Sequence, residues 1–291
     1  MNHNYRPRKW LVITTVATAM ITLLLIASSC FASRQHDIIF SVIGDVPRSE
    51  AEVGVLDEQI FNHNKISPAQ FIVHVGDIKD GKSPCNEAVY ESVATQLKEF
   101  AAPLFIIPGD NEWNDCIDPD PAAAWGYWTK HFMGFEENWQ FNPIVCKQEQ
   151  QPENFAFLVD GVTFIGLNLV GGRIHDKKEW DEKINMDIEW VAEQLSFASL
   201  KGAVIFAQAN PDTNHIVFIN GLRSTAREFG RPILFVHGDG HHWIHDDPWL
   251  EPNLVRVQVD KGGIADPLLV KIKQGNPIKF EFEREPFKGI Q

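Results

Sequence analysis

The sequence predicts an α/β fold with mixed sheets, and three observations carry that reading. Short β-branched and aromatic runs recur, each closing on Gly or a small polar residue. Helix-like amphipathic stretches lie between them, and alternation of this kind builds an α/β core. Past Pro248 the pattern changes to alternating apolar and polar residues with Gly and Pro turns, the signature of half-exposed strands.

The runs at 38–43, 71–75, 104–107, 162–167, 203–207 and 233–236 read as buried strands. Helices are expected at 50–64, 86–100, 185–200 and 213–229; in the third, Ile188, Val191, Ala192 and Leu195 share one face. The stretches 254–259, 268–272 and 278–282 are expected to form a β-meander covering one side. Between 113 and 145, Trp113, Trp125, Trp128 and Trp139 stand among prolines and acids. Long loops and a short helix are expected there, with the tryptophans packing rather than forming a ligand-stacking wall.

A chain of 291 residues with 44% apolar composition can fill one large core, and no linker or repeat divides it. One domain is therefore expected over 33–291, preceded by a separate segment at 1–32. In that segment Arg6, Arg8 and Lys9 precede an apolar run from 10 to 27, the layout of a secretory signal or an uncleaved membrane anchor. Ala27, Ser28, Ser29 and Cys30 resemble a lipoprotein cleavage box, with ordinary cleavage near Ala32 as the alternative. The expected location is outside the cytoplasm: periplasmic, attached to the cell envelope through the N-terminal segment, or extracellular.

Export places Cys85, Cys116 and Cys146 in an oxidising compartment. Cys85 and Cys116 fall on loops after two strands expected to be neighbours, so they are expected to pair. The net charge of −13 argues against a nucleic-acid surface, which needs a clustered basic face. No Gly-x-Ser-x-Gly elbow, P-loop or Cys-x-x-Cys metal motif occurs.

The chemistry is concentrated in one repeated dipeptide. Gly44–Asp45, Gly76–Asp77, Gly109–Asp110 and Gly238–Asp239 each follow a strand run. Any one of them alone is a turn, since Gly and Asp are ordinary turn residues. At the carboxyl ends of strands in an open sheet, however, loops leave the sheet and ligands bind. The four acids are thus expected to converge in one crevice, with glycine removing the Cβ that would crowd each turn and allowing the bend. Ionised acids at that density repel one another and require a cation among them. Oxygen-rich ligation suits Mg²⁺, Mn²⁺ or Ca²⁺, while the imidazole of His241 would also accept Zn²⁺ or Fe.

These residues resemble, in motif order and over nearly the whole of 33–291, the calcineurin-like metallophosphoesterases. The family's Gly-Asp-x-x-Asp block is matched by Gly76, Asp77, Ile78, Lys79 and Asp80. Its Asp-x-His block is similar to Asp45, Val46 and Pro47, and its Gly-Asn-His-Asp/Glu block to Gly109, Asp110, Asn111 and Glu112. The strand-end histidine falls at Gln208, and Gly-His-x-His at Gly238, Asp239, Gly240 and His241.

The resemblance implies a four-layer α-β-β-α sandwich and one or two divalent ions. One ion would be held by Asp45, Asp77 and His241, the second by Asp77, Asp110, Asp239 and Gln208. It implies hydrolysis of a small phosphate ester, in which water activated between two ions about 3.5 to 4 Å apart attacks phosphorus. Asn111 stands where the family's catalytic histidine would be and is assigned to substrate positioning. Asp80 and Glu112 are either supports behind the ligands or turn residues. Arg48, Lys79 and His242 are candidates to contact the substrate, or simply surface charges. His74 and His237 lie within apolar runs and read as core residues.

Because Pro47, Asn111 and Gln208 replace histidines, a second reading stays open: a non-catalytic, cation-binding descendant serving as a binding module at the cell surface. A plain structural or lectin-like domain ranks below both.

Overall fold

The computed structural model describes residues 36–289, and from Asp37 onward they form one compact unit. The leader-like segment, Cys30 and the Ala32 cleavage point lie outside the described residues. No helix among those described is long and apolar enough to cross a membrane.

Two mixed sheets face one another. The first has the order β12-β11-β1-β2-β3, made from β1 (Ile38–Ile43), β2 (Ile72–His74), β3 (Leu104–Ile106), β11 (Leu268–Lys273) and β12 (Lys279–Glu283). The second has the order β4-β5-β6-β7-β8-β10-β9. Its strands are β4 (Cys146–Lys147), β5 (Phe155–Val159), β6 (Val162–Gly166), β7 (Gly202–Ala207), β8 (Ile233–His237), β9 (Ile244–Asp246) and β10 (Leu254–Gln258). In the first sheet β1, β2 and β3 run parallel with Ile43 opposite His74 and His74 opposite Ile106. That register brings the three Gly-Asp turns out side by side.

Period-two alternation sorts each strand's side chains. Phe40, Phe71, Phe105, Phe157, Phe164, Phe206 and Val236 fill the space between the sheets. Phe40 meets Phe164 edge-on at 5.4 Å, an arrangement the ring quadrupoles favour. Each fully buried ring contributes about 1.5 to 3 kcal/mol of transfer free energy, so this aromatic seam joins the sheets firmly.

The outward-facing residues meet helices. Ser41 Oγ of β1 pairs with His63 Nε2 of α1 (Glu50–Ile66) at 3.0 Å. On the same side lie α2 (Glu87–Leu97) and α3 (Pro121–Phe132), packed on each other. Against the second sheet, α4 (Lys177–Leu195) covers β6 and packs on α5 (Ile216–Phe229). The result is the expected α-β-β-α layering. Asn86, Asp120 and Asp176 cap α2, α3 and α4 by accepting backbone N–H bonds that the first turns leave unpaired.

Three expectations change. The C-terminal strands do not form one meander: β10 joins the second sheet parallel to β8, whereas β11 extends the first sheet antiparallel to β1 and β12 pairs antiparallel to β11. Helix α4 begins earlier than expected, because its charged first turns still present Trp180 and Ile184 to the core. Strands β4, β5 and β9 were not anticipated, and the helix expected among the tryptophans is α3. There Trp125 stacks on Trp128 at 5.1 Å, so packing accounts for both.

Cys85 and Cys116 form the expected disulfide, tying the loops after β2 and β3 with a Cα–Cα distance of 6.0 Å. Cys146 is exposed and, among the described residues, unpaired.

Candidate functional site

The aspartates meet where β1, β2, β3 and β8 end. Asp45, Asp77 and Asp239 adopt the left-handed backbone, with φ of 56°, 62° and 65°. Among non-glycine residues this region is sparsely populated, and Asp tolerates it because its short side chain bonds locally. The expectation that each preceding glycine makes the bend therefore needs correcting, since at Gly44 and Gly238 it is the acid that turns. Glycine does supply the expected room. A Cβ on Gly109 would lie 2.3 Å from both the backbone nitrogen and Oδ1 of Asp77.

Asp45, Asp77 and His241 offer ligand atoms within 4.8 Å of one another. The two carboxylates are 0% and 1% exposed, while the imidazole is 42% exposed and forms the open side. His241 Nε2 lies 3.0 Å from Asp45 Oδ1. Arg48 reaches the same point. Its Nη1 is 3.4 Å from Asp45 Oδ1, 3.8 Å from Asp77 Oδ2, and in contact with His241 Nε2.

Asp110 and Asp239 flank this group in the same crevice. An atom at the Cβ position of Gly171 would be 2.9 Å from Asp239 Oδ2 and 3.3 Å from Asp110 Oδ2. Asp239 donates its backbone N–H to Asp45 Oδ2 at 3.2 Å and accepts from Asn210 N at 3.3 Å. Gln208 is fully buried; its Nε2 donates to Asp110 Oδ1 at 3.2 Å, and its Oε1 accepts from Gly171 N at 2.9 Å.

Crowding of like charge marks these carboxyls. Burial, then the charges of Asp110, Glu112 and Asp45, hold Asp77 well above the usual carboxylate range. Burial and the Asp239 charge push Asp110 up to about 6, and burial pushes Glu112 up to about 7.

Glu112 is wholly buried, and its Oε1 accepts from Gly109 N at 2.5 Å and Asp77 N at 3.1 Å. It thus pins two Gly-Asp turns together. Asn111 donates its side-chain amide to Asp77 Oδ2 and its backbone N–H to Asp77 Oδ1 at 3.3 Å.

Other sequence candidates stand elsewhere. Lys79, expected near the substrate or at the surface, is 3% exposed, and its Nζ donates to the carbonyls of Asp80 and Asn111 at 2.7 and 2.8 Å. Asp80 accepts from Lys82 N, Ser83 N and Ser83 Oγ, which is the turn reading. His242 is exposed and donates Nδ1–H to the Gly240 carbonyl. His74 is a satisfied core residue, its Nε2 donating to Val46 O and its Nδ1 accepting from Gly76 N; burial lowers it to about 4. Sequence reasoning overlooked Gly171, Asn210 and Asp115, whose carboxylate accepts from Arg173 N at 2.8 Å beside this crevice.

Comparison with known proteins fits this geometry. The family model for calcineurin-like phosphoesterases matches residues 40–259. The chain belongs to that family. Its members are typically phosphoesterases that bind metal ions. No curated protein matches the chain. Among solved structures it is similar to GAP50, the anchor in the inner membrane complex of Plasmodium, at 10% identity and TM-score 0.55, covering 88% of this chain and 87% of that one. It also resembles the purple acid phosphatase PPD1 from yellow lupin seeds, at 10% identity and TM-score 0.55, and the 5'-nucleotidase of Candida albicans, at 11% and 0.52. Each of those two matches covers 86% of this chain, which spans 52% of the length of either enzyme. At such identities the likeness shows the fold.

The donor set of the family member fits one divalent ion. Two carboxylates and an imidazole within 4.8 Å supply O, O and N donors. Pro47 adds no side-chain donor. At the second position Gln208 turns donor protons toward Asp110, and Asp110 and Asp239 fall outside the compact group.

Proposed function

We propose that the chain is a divalent-cation-dependent phosphoric ester hydrolase acting on a small phosphate ester outside the cytoplasm, with Asp45, Asp77 and His241 as its ion ligands. The observation that carries this reading is the Asp45–Asp77–His241 group, set among further buried carboxyls of like charge. An ion there supplies Lewis acidity toward a phosphoryl oxygen. Asp77 is oriented by Asn111, so Asn111 acts through Asp77 rather than on the substrate. Glu112 keeps the Asp77 and Asp110 turns in register. Asp110, Asp239 and Gln208 extend the crevice and are the groups a second ion would use. Net acidity removes polynucleotides from the substrates considered.

The purified protein should hydrolyse a generic aryl phosphate or bis-aryl phosphodiester when given Mn²⁺, Mg²⁺ or Ca²⁺, and Asp77→Asn should abolish the activity. A second reading, a cation-binding module without turnover, rests on Asn111, whose carboxamide has no titratable proton for a leaving group and is engaged by Asp77. It predicts a thermal shift on adding the ion with no hydrolysis. Ion-independent melting together with no turnover contradicts both.

A further inference from the structure

We propose that Arg48 is a built-in cation that occupies the ion position of the Asp45–Asp77–His241 group and must be displaced before a divalent metal can bind. The inference rests on the ligand assignment above and concerns what else competes for it. A metal ion sits about 2.0 to 2.6 Å from oxygen and nitrogen ligands. Arg48 Nη1, lying against His241 Nε2 and 3.4 and 3.8 Å from the two carboxylates, fills that same space. Ion and guanidinium exclude each other.

The arrangement is anchored at its base. Arg48 donates its backbone N–H to Glu52 Oε2 at 2.7 Å, and Glu52 is itself held by Lys261. The backbone of Arg48 is thus fixed while its side chain, 15% exposed, has an outward path. Its positive charge answers buried Asp45 and Asp77, whose other donors are the neutral Asn111 amide and N–H groups, the Asp239 N–H and the His241 imidazole. A carboxylate pair so compensated stays formed without metal, and the ion's apparent affinity is reduced by the fraction of molecules in which the guanidinium has moved away. The protein then loads only when free metal is abundant.

Calorimetric titration of metal-stripped protein with Mn²⁺ tests this, using wild type, Arg48→Met, which keeps the stem and loses the charge, and Arg48→Lys, which keeps the charge on a shorter chain. Arg48→Met is expected to bind Mn²⁺ about tenfold tighter or more, with Arg48→Lys between it and wild type. Without metal, Arg48→Met should melt below wild type, and Mn²⁺ should shift its melting further. Equal or weaker Mn²⁺ binding by Arg48→Met overturns the proposal, as does the absence of Mn²⁺ binding in all three proteins. Failure of the hydrolase reading is separate. Tighter ion binding by Arg48→Met with no ester turnover in any form leaves this inference standing and removes that one.

Discussion

Two clusters of buried acids sit in this molecule, and they differ in what surrounds them. In the cluster between β5 and α4, Asp187 is 0% and Glu153 4% exposed. Asp187 Oδ1 accepts from Asn154 Nδ2 at 2.7 Å and Gln151 Nε2 at 3.1 Å, while Glu153 Oε1 accepts from Asn168 Nδ2 at 2.6 Å with Lys183 Nζ at 3.4 Å. At the strand ends the acids face acids, with the amides of Asn111 and Gln208, a guanidinium and a few backbone N–H groups between them. Burial raises Asp187 to about 7, much as it raises Glu112, so a displaced pKa does not separate the clusters. The balance of charge does. Asp187 and Glu153 have Lys183 beside them, whereas Asp45, Asp77, Asp110 and Asp239 crowd round one guanidinium with an open imidazole side, an arrangement that calls for a cation.

Substitutions at the two clusters test that contrast. Asp77→Asn should reduce phosphoester hydrolysis roughly a thousandfold or more, whereas Asp187→Asn should leave it within about twofold; steady-state kinetics at saturating Mn²⁺ distinguishes them. Reducing Cys85–Cys116, which closes a separation of 31 residues, should cost about 3 to 4 kcal/mol in denaturant unfolding. That loss should release the strand-end loops and leave the Asp187 cluster outside the tethered segment.

The pH dependence tests the Asp187 cluster. Because the folded-state value of Asp187 is raised, its contribution is fully present below the ordinary value near 4 and is lost as pH rises through about 7. Between pH 4 and pH 8 that loss should be on the order of 3 kcal/mol, and Asp187→Asn should flatten that part of the curve. Smallest is Glu112. Glu112→Gln keeps the Oε1 acceptor and should be nearly neutral in stability, whereas Glu112→Ala strands the N–H groups of Gly109 and Asp77 at about 1 to 3 kcal/mol in the same unfolding assay.

How far the sequence could be read follows the range of the interactions involved. Strand β1 was legible to the residue, since a six-residue β-branched and aromatic run stops at Gly44. The convergence of three Gly-Asp turns was legible as well, because β1, β2 and β3 end in parallel register; the fourth, Gly238–Asp239, comes from β8 of the second sheet, and its approach depends on how the sheets face one another. The partition of β10, β11 and β12 between sheets was not, because alternation tells which face is wet but not which edge accepts the strand. Lys79 looked like a surface charge; carbonyls at Asp80 and Asn111 draw it inward, and only tertiary contact supplies the second of them. Arg48 was a plausible substrate residue from its place three residues after Asp45. Its contact with His241, 193 residues away, has no local signature. Gly171–Gly172 did carry a signal, a small-residue pair after the β6 run, but it stands several residues beyond the strand end.

The central claim is that a cation belongs among Asp45, Asp77 and His241. Mn²⁺ titration of metal-stripped wild type beside Asp77→Asn tests it most directly. Saturable binding is expected in the wild type and should disappear in the variant while the variant remains folded by circular dichroism. Binding that survives Asp77→Asn unchanged, or a wild type that takes up no ion, would contradict it.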